Sequence, residues 1–211
     1  DTANADMTIN MDIGPGGTGE NSGDITISNL NAGTGHVLIT QGGQTDGSDV
    51  LRTATSTITA TSLTVDISNG SNTGGVIGAS ADPLNTNVAN LELRTQGGDA
   101  FMDETDGVEI GGAALGALNG VNVGGGTFSL TAGDAVTDSE AIIAAALKLA
   151  TTGGGSVTLD ESHTVDTLAA DLDGALVFTN GQDLTVGTVD GTDGVTTSDD
   201  NVTLEVGTNL L

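Results

Sequence analysis

The sequence predicts an all-β fold, a parallel β-solenoid made of many short rows. Three observations predict it. Apolar and polar residues alternate in short runs from one end to the other. Candidate strands in the C-terminal half recur at a solenoid-like spacing. The large aromatic side chains that supply much of the buried area of a rounded core are almost missing: the 211 residues include three Phe (Phe101, Phe128, Phe178), no Trp and no Tyr. A core made of Val, Ile, Leu and Ala, repeated many times, suits a long thin body.

The alternating runs are Met7-Thr8-Ile9-Asn10-Met11-Asp12-Ile13, Asp24-Ile25-Thr26-Ile27, His36-Val37-Leu38-Ile39-Thr40, Leu63-Thr64-Val65, Leu91-Glu92-Leu93, Val108-Glu109-Ile110, Phe128-Ser129-Leu130, Val157-Thr158-Leu159, Leu184-Thr185-Val186 and Val202-Thr203-Leu204. Period-2 alternation turns the apolar side chains to one face of a strand and Thr, Asp or Glu to the other. Gly, Asn and Asp clusters separate the runs, as turns require.

Positions near Leu130, Leu149, Leu159, Phe178, Val186 and Leu204 are separated alternately by about 18–19 and about 8–10 residues, which reads as a two-strand coil of ~28. No single coil buries its own apolar face, so stacking makes the core. Two stretches also match. Ile39-Thr40-Gln41-Gly42 leads through Thr45-Asp46 to Ile58-x-Ala60-x-x-Leu63-x-Val65, and Leu130-Thr131-Ala132-Gly133 leads through Thr137-Asp138 to Ile142-x-Ala144-x-x-Leu147-x-Leu149. Ser139 to Ala150 reads as helix by propensity, with a cap. Its counterpart, Thr55 to Val65, is rich in Thr and β-branched residues and prefers strand. Strand is predicted for both, with a short helix at 139–150 as the alternative.

The formal charge is -26, with Arg52, Arg94 and Lys148 as the permanent cations. Charge of this size and sign argues for disorder, but 36% hydrophobic residues, a mean hydropathy of +0.06 and the ordered alternation argue for a fold. Phosphate binding needs Lys and Arg, so nucleic acid is excluded as a partner, as are anionic membrane surfaces. Solubility and cation binding are favoured. Zero Cys rules out a disulfide framework and thiolate metal sites. No apolar run approaches the ~20 residues of a membrane span, and no signal-peptide pattern is visible. The whole of 1–211, starting at Asp1, is expected to be a single solenoid segment excised from a longer repetitive chain.

Gly78-Ala79-Ser80-Ala81-Asp82-Pro83-Leu84-Asn85-Thr86-Asn87-Val88-Ala89-Asn90-Leu91 continues into Gly97-Gly98-Asp99-Ala100-Phe101 and Asp106-Gly107-Val108-Glu109-Ile110-Gly111. This resembles a unit of the giant repetitive bacterial exoproteins similar to filamentous haemagglutinin. So does Asp166-Thr167-Leu168-Ala169-Ala170, running through Asp171-Leu172-Asp173-Gly174-Ala175-Leu176 to Leu184-Thr185-Val186-Gly187-Thr188-Val189. The resemblance covers roughly the last two-thirds of the chain and is one of repeat pattern. It implies a right-handed parallel β-helix, secretion and a role at the cell surface, and it transfers no active-site residue.

Several patterns invite chemistry. Gly14-Pro15-Gly16-Gly17-Thr18-Gly19 has the spacing of a dinucleotide loop, but Glu20-Asn21-Ser22-Gly23 and a strand follow where that motif needs a helix, so it reads as a turn. Asp199-Asp200 is a carboxylate pair of the kind glycosidases use, yet three scattered cations cannot stabilise a lyase enolate and no Trp or Tyr offers a sugar platform; it reads as a solvated turn. His36 and His163 are too few and too far apart for zinc and are expected at strand ends on the surface. No nucleophile elbow or thiol is present, so no enzyme is expected. Thr55, Thr57, Thr59 and Thr61 form an array of the ice-binding kind, but the matching stretch near Ala141 to Leu149 has no Thr. Calcium is the one cofactor with support. Asp103-Glu104-Thr105-Asp106-Gly107 and Asp190-Gly191-Thr192-Asp193-Gly194 set paired carboxylates on Gly turns, which makes Asp103, Asp106, Asp190 and Asp193 the candidate metal ligands. Neither run fits an EF-hand loop or the glycine-rich nonapeptide.

The expected function is therefore a structural or adhesive solenoid segment of a secreted, extracellular cell-surface fibre. The alternatives are a calcium-dependent matrix or surface-layer component and a polysaccharide-acting enzyme on the same fold. The expected partners are further repeats of the chain or a second copy stacked end to end, because no polar cap is visible at either end, together with a cell-surface or matrix ligand.

Overall fold

The computed structural model describes residues 4–12, 23–42, 47–68, 73–116 and 118–211. The Gly14–Gly19 turn and Thr45-Asp46 lie outside them. Among the described residues the chain is all-β and has no helix. The strands are β1 (Met7–Asp12), β2 (Ile25–Ile27), β3 (Leu30–Asn31), β4 (His36–Gly42), β5 (Val50–Arg52), β6 (Ile58–Asp66), β7 (Leu84–Arg94), β8 (Ala100–Glu104), β9 (Val108–Ile110) and β10 (Val121–Ala132). There follow β11 (Val136–Asp138), β12 (Ile142–Thr151), β13 (Val157–Leu172), β14 (Leu176–Asn180), β15 (Thr185–Val186), β16 (Thr188–Val189), β17 (Thr192–Asp193), β18 (Val195–Thr197) and β19 (Val202–Val206). Over the described residues, each of the ten alternating runs falls on a strand. Residues 142–150 are strand despite their helical propensity, because β12 is held between β10 and β13 and tertiary pairing overrides a weak local preference.

Apart from the β16–β17 hairpin and a bridge between Ala79 and Asp82, the pairings are parallel. The path β7-β8-β10-β12-β13-β11-β9 returns to β7, so seven parallel strands close on themselves in a barrel-like sheet. The long strands make this possible. Residues 84–86 of β7 pair with β8, while residues 90–94 pair with β9 and β10.

Two interior columns run through the pairings. One stacks Ile9, Ile39, Val65, Leu93, Val121, Ile142, His163, Asn180 and Val206. The other stacks Ile25, Val50, Ile77, Ala100, Phe128, Leu147, Leu168 and Val186. Phe128 and Phe178 are fully buried. Each apolar side chain sits on its neighbour in the next row, and it is this burial between rows, not within one, that stabilises the sheet.

The structure corrects two sequence expectations about the repeat. Leu130 pairs directly with Leu149, and Leu159 with Phe178, so a step of 19 residues is already a full return to the same column. Steps close to the expected ~28 occur beside it, from Val37 to Leu63 and Leu63 to Leu91, from Ala100 to Phe128, and again from Phe178 to Leu204. The two matched stretches are also not equivalent. Val65 and Ile142 share a column, whereas Ile58 belongs with Thr86 and Glu104 in another.

Candidate functional site

The structure does not gather the four acidic candidates into one site. Asp103 projects outward from β8, beside Asn85 and Thr131. Asp106 lies in the turn after β8, where its carbonyl accepts from the Asp134 N–H at 3.2 Å. Asp190 and Asp193 lie in the β16–β17 hairpin, whose neck is closed by the Gly194 N–H donating to the Gly187 carbonyl at 2.9 Å. The Asp193 carboxylate accepts from the Thr188 hydroxyl at 2.7 Å. Asp190 reaches back across earlier rows. Its Oδ1 accepts from the Ser80 hydroxyl at 2.5 Å, and its Oδ2 accepts from the Ser129 hydroxyl at 3.0 Å and from Lys148 Nζ at 3.4 Å. Burial works to raise its pKa, but the two hydroxyls and the ammonium more than offset this and hold the carboxyl below the usual carboxylate range. Among the described residues no three His, Asp or Glu side chains converge in a metal-ligating group.

The other two permanent cations are placed in the same way. Arg94 holds Asp66, its partner in the neighbouring strand, through Nη2 and Nε at 2.6 and 3.1 Å. Arg52 reaches Asp82 at 2.5 Å and donates to the Pro83 carbonyl at 2.5 Å. Each cation therefore ties together segments well separated in sequence, and with all three in ion pairs the excess carboxylates dominate the surface.

One histidine meets the expectation of a strand end and the other departs from it. His36 is half-buried at a strand end, with Nδ1 2.8 Å from the Ser62 hydroxyl. His163 is fully buried in the interior column, not on the surface. Its Nδ1 accepts the Ile142 N–H at 2.9 Å, and its ring stacks on Phe178 with centroids 5.1 Å apart. Its Nε2 lies 3.2 Å from Asp138 Oδ2, close enough for an electrostatic pair but without a well-aligned hydrogen bond. Asp138 also accepts the N–H groups of Asp160 and Glu161 at 3.0 and 3.1 Å. Burial raises its pKa; His163 and the two amides outweigh that and lower it. Asp138→Ala removes the acceptor for two amides and the carboxylate that faces Nε2 of the buried ring. It is expected to lower unfolding free energy by about 3 kcal/mol, and Asp138→Asn by less. A loss below about 1 kcal/mol in equilibrium urea unfolding would show that the cluster does not hold these rows together.

Two glutamates escaped the sequence reading. Glu104 is 1% exposed and projects into the interior, where the Val88 N–H reaches both carboxylate oxygens at 3.2 and 3.1 Å. Glu92 points outward, yet it is 2% exposed, with loop residues Ala113 and Leu118 over it. Ala113 and Leu118 donate their N–H groups to its two oxygens, each at 3.1 Å. The same loop receives the Thr64 hydroxyl on the Leu115 carbonyl. Burial pushes both carboxyls up to about 7, and the nearby Glu140 adds to the rise at Glu92.

A recess of about 510 Å³ is lined by Asp166, Gly181, Gln182, Asp183, Thr208 and Asn209. Gln182 donates to Asp166 at 2.6 Å, and Asn209 donates to Asp183 through its backbone and side chain at 3.0 and 2.9 Å. Asp199 and Asp200 sit in an exposed turn between β18 and β19, with Asp199 at φ 65. No family model matches the chain, and no curated protein or solved structure matches it.

Proposed function

We propose that the chain is a right-handed parallel β-solenoid segment that serves as a structural or adhesive part of a secreted cell-surface fibre. The observation that carries this reading is the persistence of one interior column from Ile9 to Val206, with polar and charged groups spent on tying its rows together. Parallel connections within one sheet are almost always right-handed, which gives the hand. Stacked rows give length, and ladder-bonded, close-packed rows leave few openings for proteolysis. The uncompensated charge of the flanks keeps neighbouring fibres apart and soluble. The likeness of the repeat pattern to haemagglutinin-like exoproteins points to the same location.

The test is immunogold microscopy with antibodies against the chain, applied to intact cells that make it. Label on filaments outside intact cells, with the chain recovered in the fraction sheared from the surface, is the expected result. Label that appears only after the cells are permeabilised overturns the proposal.

A further inference from the structure

We infer that the free edge of β19 docks, parallel and in register, on the free edge of β1 of a second copy of this chain, with Leu204 against Met7 and Val206 against Ile9. The inference rests on the solenoid reading above, since it needs rows that stack along one axis. Among the described strands β1 pairs only with β4, and β19 only with β14. Among the described residues each therefore keeps one edge whose N–H and C=O groups face no neighbouring strand and can be satisfied by another.

The two edges belong to the same columns. Ile9 begins the column that ends at Val206. Met7 lies over Val37, Leu63, Leu91 and Ile110, two residues before Ile9, just as Leu204 lies two residues before Val206. Their side chains are half-buried and packed on the core from one side. A copy seated on this edge continues both columns without a shift of register, which matters because a one-residue slip would turn every apolar side chain outward.

Exposure and charge favour the same contact. The large apolar side chains exposed among the described residues are Ile143, Val202, Leu210 and Leu211. The last three cluster at the β19 end, at 45, 54 and 73% exposure, and the backbone bridge between Leu184 and Leu210 adds to the same edge. In the proposed register the outward neighbours are Asp6 with Thr203 and Thr8 with Glu205, so no two carboxylates face each other. For a chain of formal charge -26 this is a strong filter, because contacts along the flanks bring carboxylates together.

The chain has no Cys, so a cysteine pair reports the register directly. Thr8→Cys with Glu205→Cys places the two thiols opposite each other in neighbouring copies; Asn10→Cys with Glu205→Cys places them two residues out of register. Under mild oxidation the first pair should give a ladder of disulfide-linked dimers and higher oligomers, at least about tenfold more than the second. By sedimentation, the mass of the unmodified chain should rise with concentration. Leu204→Lys with Val206→Lys should weaken this association at least about tenfold, by placing charge on the contact, while the β circular dichroism stays as it was. Equal ladders from the two cysteine pairs overturn the register. Monodisperse monomers whose β19 amides exchange freely overturn the second copy as the occupant, leaving that edge to further rows of a longer chain or to a different protein. Monomers from a chain found on surface filaments sink the docking alone, and docking by a chain found only inside cells sinks the surface-fibre reading alone.

Discussion

Gly133→Ala is expected to lower the unfolding free energy by about 3 kcal/mol or more, enough to leave a domain of ordinary stability marginally folded. A Cβ at Gly133 would lie 2.0 Å from the Thr105 carbonyl oxygen, and a Cβ at Gly153 would lie 2.0 Å from the carbonyl oxygen of Gly133. The backbones of successive rows touch at this corner, and neither obstacle is the end of a flexible side chain. Relief requires moving a whole row, together with the column it carries. Gly125→Ala is the control. Gly125 lies in β10, and a Cβ there would meet nothing within 4 Å, so this change should be neutral or stabilise by up to about 1 kcal/mol through the unfolded chain. Equal midpoints for Gly133→Ala and Gly125→Ala in urea would show that the rows have room to move apart.

Much of the fold was legible because its signal is local. Alternation over three to seven residues marks a strand whatever its partners, and it marked all ten runs. The pairing was less legible because it depends on how far the chain travels between rows. Val37 steps 26 residues to Leu63, whereas Leu130 steps 19 to Leu149, and shapes that differ this much share no single period.

The interior polar groups divide by the same reasoning. His163 is in phase with Val165, and Glu104 with Ala100 and Met102, all of them buried. Extending the alternation through the polar residue would have turned both side chains inward. Glu92 carries no such signal. It lies between Leu91 and Leu93, which face the core, so its own side chain points away, and it is buried where the chain returns to it at Ala113 and Leu118. Asp190 is likewise a local turn residue whose hydrogen bond to Ser80 spans 110 positions. Acidic runs on Gly turns indicate where carboxylates stand; they do not reveal which cation or hydroxyl the fold brings to them.

The chain should be more stable at pH 5 than at pH 7.5, the reverse of what burial of ordinary ion pairs produces. Glu92 and Glu104 take up a proton near pH 7 in the folded chain, because burial disfavours their charged forms, but only near pH 4.5 when unfolded. Between these values the folded state binds more protons, so unfolding free energy falls as pH rises. Their full contribution is present below about pH 4.5 and is gone above about 7, a change of at most about 3 kcal/mol for each carboxyl. Asp66, Asp138 and Asp190 act in the opposite sense. Their folded pKa values lie below the ordinary 3.8, so the stability they supply is present above that value and is lost as pH falls further. The two trends meet in a maximum between about pH 4 and 5. Self-repulsion at a formal charge of -26 bends the curve the same way between pH 5 and 7.5, and the variant Glu92→Gln with Glu104→Gln separates the two causes. It keeps neutral side chains of similar shape and removes the titration, so its urea midpoint should change between pH 5 and 7.5 by well under half of the wild-type change. A wild-type midpoint higher at pH 7.5, or a slope unaltered by the double substitution, would show that these carboxyls ionise freely and that the loop over Glu92 admits water.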